Sequence, residues 1–311
     1  MIALWEYVKE AFPPAPKFKV EDIPDQTGKV IIVTGGNSGL GYETVKVLLS
    51  KNAKVYMASR SKDKADAAIQ KLKEETGNEA YFLELDLADL DSVKKATDEF
   101  NSKEEELHVL FNNAGLMVPP IDDITVQGYD MQFGVNVIGH YVLTKRLLPP
   151  LFKGAESSSD HKARIVNTSS SAQLFANDID FETIKDGAAR RKAGVNTTYL
   201  YSKFANVVLA HELARRYADK GIVSTSLNPG NLRTDIVRTT PPIFQKLAQW
   251  FFAPASYGAL SLLWAGVSPD TVDFNGKYII PWARMGKTRP EAADPQLGER
   301  LWKFLESETK E

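Results

Sequence analysis

The chain repeats one pattern along most of its length: a short, continuously apolar segment is followed by a helical segment. Because these apolar runs do not alternate with polar residues, they predict strands buried on both faces, as in a parallel sheet covered by helices. Right-handed crossovers between such strands give a doubly wound α/β fold. We expect a mostly parallel, seven-stranded sheet with helices on both faces. Strands are expected at 30–33, 54–58, 80–85, 107–111, 164–168, 223–228 and 277–280. Helices are expected up to about Leu49, at 63–75 with Ser61 as N-cap, and at 92–100, 128–151 and 199–217.

The domain organisation follows from the absence of a linker. The chain has 311 residues and no Pro/Gly/Ser-rich stretch between two halves, so we predict one catalytic domain over 25–311. Residues 1–24 form an N-terminal arm whose short amphipathic stretch ends at Pro13. The arm either packs on the body of the protein or acts as an interfacial anchor or a flap near the substrate entrance.

Composition excludes several classes of function. A net charge of −2 gives no basic patch for nucleic acid. The chain has no cysteine, and its four histidines lack ligand spacing, so we expect no disulfide and no metal site. We find neither an apolar run of membrane-spanning length nor a secretory signal. We therefore predict a cytoplasmic protein and do not expect membrane contact, although the arm could provide it.

A glycine-rich turn lies between the first strand and the first long helix. A pyrophosphate must approach the backbone closely at a helix N-terminus, where free N–H groups and the helix dipole favour an anion. A Cβ at Gly35 or Gly39 would obstruct that approach, and Gly41 allows the helix to pack near the strand. We predict a dinucleotide site formed by Gly35, Asn37, Ser38, Gly39, Leu40 and Gly41.

The spacing Thr-Gly-x-x-x-Gly-x-Gly of this turn resembles the short-chain dehydrogenase/reductase family, and four further segments match in the family's order. The four are Asp86-Leu87, Asn112-Asn113-Ala114-Gly115, Tyr199-x-x-x-Lys203, and Pro229-Gly230 with Leu232 and Thr234, where the family holds the nicotinamide end of the cofactor. This resemblance spans about 28–280. Three features resemble the retinol-dehydrogenase-like and fungal branch: the long segment from Ser170 to Tyr199, the sequence around Lys203 and the C-terminal segment from Asp294 to Trp302. It implies a Rossmann-type domain and further cofactor contacts at Asp86, Leu87, Asn113, Ala114, Gly115, Tyr199, Lys203, Pro229, Gly230, Leu232 and Thr234.

The cofactor choice can be argued from the tip of the second strand. An NAD enzyme places an acid there to bind the ribose hydroxyls. Ser59 occupies that position and Arg60 follows. A hydroxyl and a guanidinium suit a 2′-phosphate, which a carboxylate would repel. We predict NADP(H), while a solvated Arg60 at a helix start would leave the choice open.

Two tyrosines lie near Lys203, and helical geometry separates them. At about 100° per residue, Tyr199 lies about 40° from Lys203 around the axis, whereas Tyr201 lies about 200° away. Only Tyr199 shares a face with the lysine. A neighbouring ammonium favours the phenolate, so we expect Lys203, together with the positive nicotinamide ring of the cofactor, to lower the pKa of Tyr199 and make it an acid–base catalyst.

The remaining catalytic groups come from the resemblance. Three serines end the fifth strand, and strand periodicity does not choose among Ser169, Ser170 and Ser171. The family's Asn-x-Ser-Ser pattern implies Ser170 as the group that orients the substrate oxygen. Asn136 resembles the family's helix-kink asparagine, which holds a water for proton relay; a plain packing role is the alternative.

An aromatic-rich segment at 231–256 is expected to cover the cofactor as a substrate lid. Its composition favours reduction of an apolar or aromatic aldehyde or ketone, although packing or a subunit contact would explain it nearly as well.

Two alternative functions are alcohol oxidation with NAD(P)+ and a non-catalytic nucleotide-binding scaffold. The family implies a monomer or a homodimer. The lid aromatics are Phe244, Trp250, Phe251 and Phe252.

Overall fold

The computed structural model describes residues 2–233 and 252–310. Its sheet has the strand order β3-β2-β1-β4-β5-β6-β7-β8, parallel from β3 to β7. The doubly wound α/β architecture is thus confirmed. The eighth strand pairs antiparallel with β7 and is too short for a sequence pattern to show. The strands are β1 (Val30–Thr34), β2 (Lys54–Ser59), β3 (Tyr81–Glu84), β4 (Val109–Asn112), β5 (Ala163–Thr168), β6 (Ile222–Leu227), β7 (Tyr278–Ile280) and β8 (Arg284–Met285).

The predicted helices ending near Leu49, at 63–75 and at 92–100 lie close to helices of the structure. The predicted 128–151 helix is instead a short α-helical turn and a π-helical segment, followed by an α-helix from His140 to Ser157. The predicted 199–217 helix begins earlier, as given below. The predicted N-cap Ser61 accepts a hydrogen bond from the backbone N–H of Lys64. The helices are α1 (Ile2–Ala11), α2 (Gly39–Ser50), α3 (Lys62–Thr76), α4 (Leu90–Lys103), α5 (His140–Ser157), α6 (Ala188–Tyr217), α7 (Ala255–Val267) and α8 (Pro295–Glu308).

Two apolar clusters cover the two faces of the sheet. Alternate residues of β1 take part in different clusters, because successive side chains of a strand point to opposite faces. Ile31 packs with Leu48 of α2 and Leu262 of α7, whereas Ile32 packs with Ile138 and with Val208 of α6. Burial on both faces explains why β1 is apolar at every position but its last.

The strand order reverses between β1 and β4, the switch point at which open α/β sheets bind ligands. The carboxyl ends of β1, β4 and β5 therefore lie side by side. Every segment that follows these strands reaches the same crevice, which brings together the glycine turn, the residues after β4 and the serines after β5.

Helix α6 is longer than predicted. It starts at Ala188 rather than near Tyr199, and Gly194 interrupts it with φ 76° and ψ 161°. These dihedrals are not helical, so two helical stretches meet at a kink that glycine accommodates readily. Tyr199 lies one turn beyond this kink, inside the second stretch.

Residues 2–233 and 252–310 contain neither a membrane-spanning helix nor a cluster of metal ligands. No helix there is long and apolar enough to cross a membrane. No group of three acidic or histidine side chains is arranged to hold a metal ion there.

Candidate active site

The glycine turn between β1 and α2 has the close approaches that its sequence predicts. Gly35 and Gly39 have positive φ, and a Cβ on Gly41 would overlap the carbonyl oxygen of Gly35. Ser38 is the N-cap of α2, yet its side chain does not cap the helix. The first N–H groups of α2 therefore point into the crevice without a side-chain acceptor, as a phosphate site requires.

Thr34, the last residue of β1, ties the turn to the segment after β4. Its hydroxyl oxygen accepts hydrogen bonds from the backbone N–H groups of Asn113 and Ala114, each at 2.9 Å. The amide of Asn113 donates to the carbonyl oxygen of Thr34 at 2.8 Å. Asn113, one of the residues predicted to contact the cofactor, thus uses its side-chain amide to hold the ends of β1 and β4 together.

Asn136 lies in a π-helical segment, Gly134–Gly139, which precedes α5. Such segments are rare and occur mostly at functional sites. Oδ1 of Asn136 accepts a hydrogen bond from the backbone N–H of Leu116 at 3.0 Å. Its Nδ2 donates to the carbonyl oxygen of Leu116 and to the hydroxyl of Ser202, each at 3.1 Å. The side chain is therefore fully engaged in positioning the segment after β4.

His140 was missed by the sequence analysis, although it lies on the same helical face as Asn136. Its two ring nitrogens lie 3.0 Å from the hydroxyl of Thr34 and 3.2 Å from the carbonyl oxygen of Asn136. The pKa of His140 is lowered to about 4, mainly by burial; the hydrogen bond with the backbone of Asn136 opposes the lowering and nearby Lys203 adds to it. The ring is therefore neutral at neutral pH. The spacing of four residues from Asn136 could have revealed it.

Lys203 is 3% exposed and lies at the centre of the crevice. Its Nζ donates to the carbonyl oxygen of Thr168 at 3.1 Å and lies 6.0 Å from the ring centroid of Tyr199. A Cβ on Gly115 would stand 3.5 Å from this ammonium and 3.0 Å from Oδ1 of Asn136. Glycine at 115 therefore leaves room between the lysine and the asparagine.

Burial acts on the pKa values of both Tyr199 and Lys203, and for the tyrosine it acts against the expected lowering. Burial raises the pKa of Tyr199, and a hydrogen bond with Ser170 offsets part of that rise. Burial also lowers the pKa of Lys203 to about 8. Desolvation disfavours both charged forms, and this effect exceeds the attraction between a phenolate and an ammonium at this separation.

The three serines after β5 have different surroundings. Ser170 bonds to Tyr199, and its Oγ also accepts from the backbone N–H of Ala172 at 3.2 Å. Ser169 donates to the carbonyl oxygen of Lys203 at 2.6 Å and is buried. Ser170 is thus the serine that the geometry brings to the tyrosine, while Ser169 is occupied in joining β5 to α6.

The tip of β2 presents the two residues on which the cofactor choice depends. Ser59 is buried, and its Oγ has no hydrogen-bond partner within the described residues. Arg60 is exposed and forms no ion pair with the described part of the chain. A buried hydroxyl without a partner beside an unpaired guanidinium is an arrangement that an anionic oxygen would complete.

The remaining predicted contacts are placed as follows. Asp86 uses its carboxylate to accept from the backbone N–H of Ala88 at 2.9 Å, and Leu87 is buried against Gly139. After β6, Pro229 leads into Gly230, which has φ 92°.

Thr234 and most of the predicted lid, including Phe244, Trp250 and Phe251, lie outside the described residues. The two ends of the lid segment are described: Leu232 forms a parallel bridge with Ala253.

The chain is similar in sequence to known proteins of one family. A family model described as "short chain dehydrogenase" matches residues 29–179. A protein of Armillaria gallica described as a short-chain dehydrogenase/reductase is 54% identical over 307 residues, 99% of this chain and 98% of that protein. One from Phomopsis amygdali is 40% identical, with 97% and 95% covered.

Solved structures agree. An uncharacterized protein from Mycobacterium paratuberculosis is 28% identical with a TM-score of 0.69, over 94% of this chain and 97% of that one. A short chain dehydrogenase from Escherichia coli CFT073, complexed with NADPH, is 25% identical with a TM-score of 0.62, over 82% and 96%. Since relatives of 40% identity and above cover nearly the whole chain, the protein belongs to the short-chain dehydrogenase/reductase family of oxidoreductases.

Proposed function

We propose that this protein is an NADP(H)-dependent reductase of apolar or aromatic aldehydes and ketones, with Tyr199 as the proton donor. One observation carries the proposal. Tyr199, Ser170 and Lys203 meet at the carboxyl end of β5, across the crevice from the uncapped helix N-terminus of α2. An acid–base pair beside a phosphate site is the arrangement that carbonyl reduction with a nicotinamide cofactor requires.

The residues present fit the dinucleotide. Gly35 and Gly41 leave the backbone of the turn open to a pyrophosphate, and the first N–H groups of α2 supply the donors. The unpartnered hydroxyl of Ser59 and the guanidinium of Arg60 suit a 2′-phosphate, which supports NADP(H) over NAD(H). The NADPH bound by the related Escherichia coli enzyme supports the same choice.

The chemistry divides between cofactor and protein. When bound, NADPH would supply the hydride. The buried phenol of Tyr199 stays protonated at neutral pH, because burial raises its pKa, and it can give its proton to the carbonyl oxygen of the substrate. The hydroxyl of Ser170 can orient that oxygen. Lys203 keeps its charge at neutral pH, with a pKa of about 8, and so stabilises the phenolate that remains.

The substrate class and the cellular setting rest on the sequence. The aromatic residues of 231–256 favour an apolar substrate. Of the four lid aromatics, Phe252 lies within the described part of the chain. The proposal includes a cytoplasmic location and a monomer or homodimer. Cell fractionation and light scattering would test these two points.

A panel of aldehydes and ketones tests the function, with the loss of reduced-nicotinamide absorbance as the readout for NADPH and for NADH. We expect turnover with NADPH and a strong preference for it over NADH. Tyr199→Phe should abolish turnover, whereas Tyr201→Phe removes a hydroxyl from the opposite side of α6 and should leave turnover intact. Full activity of Tyr199→Phe would refute the mechanism, and preference for NADH would refute the cofactor assignment.

A further inference from the structure

Helix α1 of the N-terminal arm inserts a carboxylate into the protein. Glu10 is 1% exposed, although Trp5 and Phe12 on the same arm are largely exposed. The arm is seated on the body by other contacts: the ring of Tyr7 lies 5.6 Å from that of Phe175, and Arg284 donates to the carbonyl oxygen of Lys9. Burial of a carboxylate is costly unless it is hydrogen-bonded, so its partners indicate its purpose.

The first partner of Glu10 belongs to the segment after β6. Oε2 accepts a hydrogen bond from the side-chain amide of Asn228 at 2.7 Å. The oxygen of the same amide accepts from the backbone N–H of Gly230 at 3.0 Å. Glu10 thus fixes the orientation of Asn228, and Asn228 fixes the turn through Pro229 to Gly230.

That turn has little freedom to rearrange. Gly230 has φ 92°, and a Cβ there would stand 2.7 Å from the ring of Trp282. The turn is therefore held between the indole on one side and the Asn228 amide on the other. In the resemblance described above, this turn faces the nicotinamide end of the cofactor.

The second partner of Glu10 leads to the catalytic serine. The hydroxyl of Tyr278 lies 3.3 Å from Oε2 of Glu10 and 3.3 Å from the carbonyl oxygen of Ser170. A hydroxyl has one proton, so Tyr278 can donate to either oxygen but not fully to both. Glu10 therefore contacts the residues behind both the nicotinamide turn and Ser170.

Burial, two hydrogen bonds and two nearby charges act on the pKa of Glu10. The pKa of Glu10 is raised to about 7, mainly by burial and in smaller part by the negative charge of Glu6. The hydrogen bonds from Asn228 and Tyr278 and the charge of Arg284 lower it. Oε1 of Glu10 has no hydrogen-bond partner within the described residues, which leaves it free to carry the proton.

We propose that Glu10 is a positioning residue of the active site, through which the N-terminal arm holds the Asn228–Gly230 turn in the conformation that receives the nicotinamide. This inference rests on the proposed function, since it assumes that NADPH binds in the crevice. The arm is then part of the cofactor site, although it precedes the residues that the family model matches.

The test compares two ligands and three variants. NADPH spans the whole site, whereas adenosine 2′,5′-bisphosphate lacks the nicotinamide and reaches only the β2 end. Binding of both is measured by calorimetry to the full chain and to Glu10→Ala, Glu10→Gln and Glu6→Ala. Glu6 is the matched control, because it lies one turn earlier on the same helix and pairs with Lys9.

Glu10→Ala should weaken NADPH binding about tenfold, the ratio expected for one hydrogen bond to a charged group, and leave adenosine 2′,5′-bisphosphate unaffected. Glu10→Gln keeps an acceptor for Asn228 and should restore NADPH binding. Unchanged NADPH affinity in Glu10→Ala overturns the inference alone, and so does equal weakening of both ligands, which a general loss of structure would cause. Absence of NADPH binding to the unmodified chain overturns the proposed function together with the inference.

Discussion

Replacing Lys203 by methionine should stabilise the cofactor-free protein while it abolishes catalysis. Burial lowers the pKa of Lys203 from 10.5 to about 8. At neutral pH the folded protein nevertheless holds the ammonium in its charged form. With about 1.4 kcal/mol for each pKa unit, the buried charge costs about 3 kcal/mol. Methionine has a similar length and carries no charge, so this cost disappears.

The loss of one hydrogen bond offsets part of that gain. Nζ of Lys203 donates to the carbonyl oxygen of Thr168, a contact that contributes about 1 kcal/mol. The carbonyl keeps a second donor, the side-chain amide of Asn206 at 3.0 Å, so no buried acceptor is left unpaired. The expected net gain is therefore about 2 kcal/mol in the free energy of unfolding.

The sign of the pH dependence follows from the same shift. The pKa of Lys203 is lower in the folded state, so the unfolded chain binds more protons between about pH 8 and pH 10.5. The stability of the unmodified protein rises with pH across that window. The advantage of Lys203→Met should consequently be full at about pH 7 and should narrow by about pH 9.5.

Urea unfolding followed by tryptophan fluorescence measures this difference. The protein must be free of cofactor, because ligand binding adds its own stabilisation. Lys220→Met, at an exposed lysine, is the matched control and should change stability by less than about 0.5 kcal/mol. A Lys203→Met protein that is no more stable than the parent at neutral pH, or an advantage independent of pH, would refute the reasoning.

Three further predictions test other parts of the molecule. The pKa of Glu10 is about 7 in the folded protein and 4.5 ordinarily, so the folded protein binds more protons between these values. The free energy of unfolding should therefore fall by about 2 kcal/mol between about pH 5 and pH 8. Urea titrations of Glu10→Gln should show no such dependence on pH. Arg60→Ala should weaken NADPH binding at least about tenfold and leave NADH binding unchanged, as judged by calorimetry. Gly41→Ala should lower the melting temperature and the affinity for both nucleotides, because its methyl group overlaps the carbonyl of Gly35.

The parts of the site that could be predicted from sequence are those that local geometry determines. Gly35, Gly39 and Gly41 are required because of their backbone conformations and close approaches within one turn. The choice of Tyr199 over Tyr201 needs only the helical repeat. The doubly wound order follows from strands buried on both faces, and its switch point then locates the crevice.

The parts that could not be predicted depend on contacts distant in sequence. Glu10 and Asn228 are separated by 218 positions, and no local pattern marks a terminal glutamate as buried. The extra strand Arg284–Met285 has two residues, so it exists through its pairing with β7 rather than through its own composition. Strand periodicity likewise did not choose among the serines; the resemblance implied Ser170, and the separate surroundings of Ser169 and Ser170 come from contacts distant in sequence.

The Tyr199–Lys203 pair shows that burial acts against the pKa lowering expected from spacing and from the nicotinamide charge. Spacing placed the two side chains on one face, but burial of both groups decides their titration, and each is shifted toward its neutral form. A phenol with a raised pKa is a poor base and holds the proton that a carbonyl reduction consumes. The ammonium still carries its charge at neutral pH, where it can stabilise the phenolate once the proton has left. At neutral pH the tyrosine therefore holds its proton and the lysine holds its charge, which are the protonation states that the proposed reduction starts from.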